Sequence, residues 1–159
     1  MKQIKDIMLL ISDYDIVFQE VPGEVTLSLN LSDCPHSCKG CHSPQLQTKI
    51  GKELTIDIFS ELLKKYGKHI TCICFMGGDR HPEEVQEFAK YLHSLNYKVA
   101  WYSGDTEKPE CIDLANFDYY KIGPYIEELG PLKSKTTNQR MYRIINACKE
   151  DITNIFWKK

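Results

Sequence analysis

The sequence lacks any apolar run approaching the ~20 residues that a membrane-spanning helix needs, so a helical span is excluded. It also lacks a dominant charge. Lys and Arg number 20 against 22 Asp and Glu, a balance that leaves no electrostatic footprint for nucleic acid or an anionic membrane. The start, "MKQIKDIMLLISDYD", has a lysine pair and an apolar core, but the core is short for a secretory signal and no small-residue cleavage site follows. The expected location is cytoplasmic. No repeat, low-complexity tract or internal linker interrupts the chain, and 159 residues fit one domain, 1–159, with its own core.

Cysteine is not scarce. There are seven, an odd number that cannot all pair within one chain. Disulfides are rare in the cytoplasm, so clustered cysteines there point to a metal or redox site. Three fall in "LSDCPHSCKGCHSPQL": Cys34, Cys38 and Cys41, spaced C-x3-C-x2-C, with no fourth cysteine close behind. Thiolates are soft donors suited to zinc and to iron–sulfur clusters. A cubane has four irons, and three cysteines leave one open to a small molecule. The competing reading is a Cys3His zinc site with His36 or His42 as fourth ligand. Zinc ligands usually come as two separated pairs, whereas this run is a single cradle, so the spacing favours the cluster.

The surroundings read as alternating strands and helices. "EVTLSLNLS" (Glu24–Ser32) alternates Val25, Leu27, Leu29 and Leu31 with polar residues, a strand that runs straight into the cysteine loop. "TIDIFSELLKKYG" is a helix with Thr55 as cap and Gly67 as stop. "HITCICFMGG" is a strand ending in Gly77 and Gly78, and "HPEEVQEFAKYLHSLN" a helix with Pro82 in its first turn. "YKVAWYSGD" is a third strand, "ECIDLANF" a short helix and "DYYKIGPY" a short fourth strand. "DIMLLIS" and "DIVFQEV" form a hairpin or an extra edge. The stretch from Glu127 to Arg140 reads as a polar loop, and the tail ends apolar. The order implies an α/β fold with parallel strands. Sites in such folds gather at the carboxyl ends of strands, where the cysteine loop, Gly77–Gly78 and Ser103–Gly104 all fall.

"FMGGDRHPEE" places Asp79 after the glycine pair. Glycine lets backbone approach a ligand, free carbonyls there can accept from an amino group, and Asp79 can add a charge-assisted bond. The plainer reading is a tight turn with Asp79 capping the next helix. Cys72 and Cys74 alternate on one strand face and read as small buried hydrophobes. Cys111 and Cys148 are isolated and receive no role. Ser103 is a turn residue or a ribose contact, and the lysine pairs 64–65 and 158–159 read as solvated surface.

These motifs resemble the radical S-adenosylmethionine enzymes. Within them the chain is similar to the small activating proteins of anaerobic ribonucleoside-triphosphate reductase. The resemblance rests on "CPHSCKGCH", "MGGD", "WYSG" and "KIGPYIEELGPLKSKTTNQR", and runs from Leu27 to about Arg143. It implies that Cys34, Cys38 and Cys41 bind a [4Fe–4S] cluster. It places S-adenosylmethionine on the open iron and against Gly40, Cys41, His42, Gly77, Gly78, Asp79 and Ser103. Reductive cleavage would give a 5′-deoxyadenosyl radical that makes a glycyl radical on the reductase, with the electron coming from a donor of the flavodoxin type. It implies a shortened, open β/α barrel with the cluster loop after the first core strand. Asn138, Gln139 and Arg140 would touch the partner or the cofactor carboxylate. Asp79 stands where many superfamily members carry Glu, and Gly40 where many carry an aromatic or aliphatic residue. Adenine would then lean on backbone around Gly40–His42. The rival readings are an activase of another glycyl-radical enzyme and a non-enzymatic zinc- or cluster-binding adaptor.

Overall fold

The alternation of Leu27, Leu29 and Leu31 commits one face of a strand to the core, and the rest of the molecule is built around that face. A computed structural model describes residues 8–41 and 43–157. In chain order the elements are β1 (Leu10–Val17), β2 (Thr26–Leu31), β3 (Lys52–Glu53), α1 (Ile56–Tyr66), β4 (Cys72–Met76), α2 (Pro82–Ser94), β5 (Lys98–Tyr102), β6 (Tyr119–Ile122), β7 (Arg140–Ile145) and β8 (Cys148–Asp151). They form one open, mixed eight-stranded sheet in the order β3-β1-β2-β4-β5-β6-β7-β8. β2, β4, β5 and β6 are parallel; β1 and β7 flank them antiparallel, and β3 and β8 pair antiparallel with β1 and β7 at the two edges. The α/β character and the central parallel strands are therefore as expected, with antiparallel strands added on both sides.

Both helices cover one face. Phe59 and Leu62 of α1 and Val85, Phe88, Ala89 and Leu92 of α2 pack with Leu27, Leu29, Ile73, Phe75, Val99 and Trp101. Thr55 caps α1 as its spacing predicts, its side chain accepting from Ile58 N at 3.2 Å. The other face carries Cys72, Cys74, Ala100, Tyr119 and Met141 beneath Val21, Leu132 and Ile152. Cys72 and Cys74 are fully buried there, and burial pushes both thiols well up, which suits core residues and not thiolate ligands.

Of the two readings of "DIMLLIS" and "DIVFQEV", the hairpin fails and the extra flanking strand holds: Leu10–Val17 is a single strand paired with β2, and Asp6 and Ile7 lie outside the described residues. Asp79 does not cap α2; His81 holds that position, with no side-chain bond. The tail, to which the sequence assigned no element, carries β7 and β8, a hairpin across Asn146 and Ala147, both left-handed (φ 52° and 62°).

At the amino ends of the parallel strands, buried Glu24 binds three of them together. Its carboxylate accepts from Thr71 Oγ1 at 2.7 Å, Tyr119 Oη at 2.7 Å and Lys98 Nζ at 2.9 Å. The opposite, carboxyl rim is left for the site.

Candidate metal centre

The cysteine loop leaves β2 through Asp33, which adopts a left-handed φ of 59°. That turn is fixed from outside. Arg80 Nε donates to Asp33 O at 3.2 Å, and Cys34 N donates to Leu46 O at 2.9 Å. Cys34, Cys38 and Cys41 are all part-buried and free of disulfides. Burial pushes the Cys34 thiol up; the His36 backbone N–H works against this, while Asp79, Cys38 and Cys41 add to it. Deprotonating Cys34 therefore calls for a cationic ligand, which a metal centre supplies.

His36 docks the loop on the rim. Its Nε2 lies 2.9 Å from Asp79 Oδ2 and 3.2 Å from Asp105 Oδ1. Its ring lies over Gly104, where an added Cβ would meet His36 Cδ2 at 2.8 Å. His36 thus faces two carboxylates, a setting that explains its place in the loop without a fourth-ligand role. His42 lies outside the described residues. Among the described residues, the side chains whose donor atoms gather closely enough for a single ion are His36, Asp79 and Asp105, not the three cysteines.

Asp79 is the buried charge of the site, its side chain only 2% exposed. Oδ2 accepts from Gly104 N at 2.8 Å. Oδ1 is buried and has no hydrogen-bond partner. Such an oxygen is costly unless a donor reaches it, and an ammonium group is the fitting one. Asp105 beside it is pushed above the ordinary carboxylate range by burial and then by Asp79, with His36 holding it back.

The glycine pair is bonded and packed within the fold. Gly77 O accepts from Trp101 Nε1 at 2.7 Å and Gly78 O from His81 N at 3.0 Å, which leaves each carbonyl a second lone pair. A Cβ on Gly78 (φ +87°) would strike Val85 Cγ2 at 2.7 Å and Leu31 Cδ1 at 3.0 Å, which are core atoms. Gly78 is a packing glycine that lets β4 turn beside Leu31. Ser103 is fully buried; its Oγ accepts from Asp105 N at 3.0 Å, so it shapes the β5 exit instead of presenting an exposed ribose contact. Gly40 (φ +75°) sits at the surface, where a Cβ would lie 3.2 Å from Glu127 Cδ and 3.3 Å from Tyr125 Cε2. The segment after β6 therefore leans on the cysteine loop.

Asn138 and Gln139 pin that segment. Asn138 Nδ2 donates to Pro124 O at 3.0 Å and Gln139 Nε2 to Gly123 O at 3.4 Å, while Asn138 Oδ1 is buried without a partner. Arg140 opens β7 opposite Ile122, at the rim end, and its Nη1 lies 3.5 Å from Asp151 Oδ2. Sequence reasoning gave no role to Asp105, Arg80 or Lys121. Asp105 had a signal, a second Gly-Asp at a strand end matching that of Asp79. Arg80 and Lys121 had none, because their partners are distant in sequence.

The three-cysteine loop thus lies part-buried at the carboxyl rim of an open α/β sheet. A family model described as a 4Fe-4S single cluster domain matches residues 21–113, more than half of the chain. The chain belongs to this family and is an iron–sulfur protein. No curated protein and no solved structure matches it. Among the described residues no helix is long and apolar enough to cross a membrane.

Proposed function

We propose that this protein is a radical S-adenosylmethionine enzyme that generates the glycyl radical of anaerobic ribonucleoside-triphosphate reductase. Its four parallel strands are taken as a shortened portion of the β/α barrel of that superfamily. Cys34, Cys38 and Cys41 would hold three irons of the cubane. When bound, the cluster supplies one electron, received from a flavodoxin-type donor, that cleaves S-adenosylmethionine to methionine and a 5′-deoxyadenosyl radical.

The observation that carries this reading is Asp79 Oδ1, a buried carboxylate oxygen left without a donor beside the cysteine loop. The amino group of S-adenosylmethionine would fill that vacancy with a charge-assisted bond. Gly104 N and His36 hold the other oxygen, so the carboxylate is oriented before any ligand arrives. A non-enzymatic cluster adaptor gives this oxygen no purpose. Backbone at Gly40 and Cys41 belongs to the same loop, with Tyr125 and Glu127 against Gly40, and would offer the cofactor a contact surface. The polar segment that ends at Asn138, Gln139 and Arg140 leans on the same loop and would meet the reductase.

The test is equilibrium binding of S-adenosylmethionine to the anaerobically reconstituted protein and to Asp79→Asn. The variant should keep its iron and lose cofactor affinity. Equal affinity in the two proteins would remove the basis for the proposal.

A further inference from the structure

β6 reads Tyr-Tyr-Lys-Ile, and strand alternation sends Tyr120 toward the helices and Lys121 to the opposite face. A lysine in a buried strand is costly unless something offsets its charge. Lys121 is 7% exposed. Its Nζ donates to Gly123 O at 2.8 Å and Ser103 O at 3.1 Å, and lies 5.9 Å from the centroid of the Tyr102 ring. Both carbonyls are neutral. Among the described residues no carboxylate lies within ion-pair distance of it. An ammonium has three N–H groups, and these two bonds use two. Burial draws its pKa down to about 8, and the charges that oppose this are Asp79, Cys38 and Cys34. The placement is also geometric: Ser103, whose carbonyl Lys121 bonds, directly precedes Gly104, and there His36 of the cysteine loop and Asp79 Oδ2 both make contact, so Lys121 sits at the rim behind the metal loop.

We propose that Lys121 is the buried counter-ion of the iron–sulfur cluster, a positioning residue whose positive charge favours the cluster's reduced, more negative state. This rests on the reading that Cys34, Cys38 and Cys41 are the ligands, and it does not depend on S-adenosylmethionine. Reduction adds one electron to the cluster; an external one-electron donor, dithionite in the test, is oxidised, and no protein bond breaks. Net charge and hydrogen bonding around a cluster set its potential, and a cation in a low-dielectric setting acts more strongly than one in water. Arg80 already bonds Asp33, and Lys39 is exposed, so neither supplies a buried charge on this face.

The experiment is an EPR-monitored redox titration of the full chain, reconstituted anaerobically without S-adenosylmethionine, with Lys121→Gln, Lys121→Met and Lys121→Arg alongside. Gln retains a donor for the two carbonyls, Met retains bulk, and Arg retains charge. Both neutral variants should bind normal iron. At a fixed ambient potential their reduced-to-oxidised ratio should fall about tenfold, or about 59 mV for a one-electron couple. Lys121→Arg should stay close to the parent. Neutral variants that titrate with the parent would overturn the proposal, as would an Arg variant that shifts with them. Neutral variants that fail to fold or to hold iron would also overturn it, since Lys121 would then be a structural strut. A parent protein that assembles no cluster would instead refute the underlying ligand reading.

Discussion

His36 Nε2 lies 2.9 Å from Asp79 Oδ2, which ties the cysteine loop after β2 to the exit of β4. Asp79 also accepts from Gly104 N, so one carboxylate joins three strand ends. Replacing His36 with Ala should leave the sheet intact and loosen the loop. Hydrogen exchange of the apo protein should show faster exchange confined to residues 33–48. Unchanged protection there would mean that Arg80 and the backbone bonds of Asp33 and Cys34 suffice.

The ligand set predicts a clean division among the cysteines. Cys34→Ala, Cys38→Ala and Cys41→Ala should each abolish cluster assembly, read as iron and acid-labile sulfide per chain. Cys111→Ala and Cys148→Ala, at exposed positions, should leave it unchanged. Cys72→Ala and Cys74→Ala should retain iron but lower stability by about 1 kcal/mol each, since each removes a buried group from a packed face.

Asp79→Asn should weaken S-adenosylmethionine by roughly ten- to a hundredfold, the worth of about 1.5–3 kcal/mol for a hydrogen bond to a charged group. Calorimetric titration of the reconstituted protein measures this directly.

Gly78→Val addresses packing. The side chain would enter at φ +87° and press on Val85 and Leu31. Strain and overpacking together should cost about 2–4 kcal/mol, read from the denaturant midpoint of the apo protein. Wild-type stability would show that Gly78 serves a ligand after all.

Much of the fold was legible because its apolar periods are regular. Val85, Phe88, Ala89 and Leu92 mark α2, and Leu27, Leu29 and Leu31 mark β2, by spacing alone. β8 was not, because Cys148–Asp151 is exposed throughout and an edge strand with no buried face has no hydrophobic period. Its turn also lacks the expected glycine, using Asn146 and Ala147. β1 was split in two by polar Asp13 and Asp15, which point away from the core. At the site, the cysteines were visible from their spacing. The sequence shows that Gly77 and Gly78 permit unusual backbone but not which atoms face them, such as Val85 and Leu31 against Gly78. Lys121 and Asp105 acquire meaning only when distant strands meet.

Glu24 makes stability depend on pH. Burial pushes its carboxyl up, but the bonds from Thr71, Tyr119 and Lys98 together outweigh this, and the net shift is below the ordinary 4.5. A depressed folded pKa means stability that is fully present above the unfolded value and lost as pH falls through the folded one. Thermal melts of the apo protein should therefore decline below about pH 4.5, and Glu24→Gln should flatten part of that decline while costing about 1–2 kcal/mol at neutral pH. An unchanged acid limb in the variant would assign the loss to other carboxylates.

The most direct measurement is anaerobic reconstitution, followed by reduction with S-adenosylmethionine present and analysis of metal and products. The account predicts about four irons and four sulfides per chain, as a cubane requires, and methionine and 5′-deoxyadenosine formed in equal amounts. A colourless protein holding stoichiometric zinc, or a reducible cluster that leaves S-adenosylmethionine intact, would contradict it.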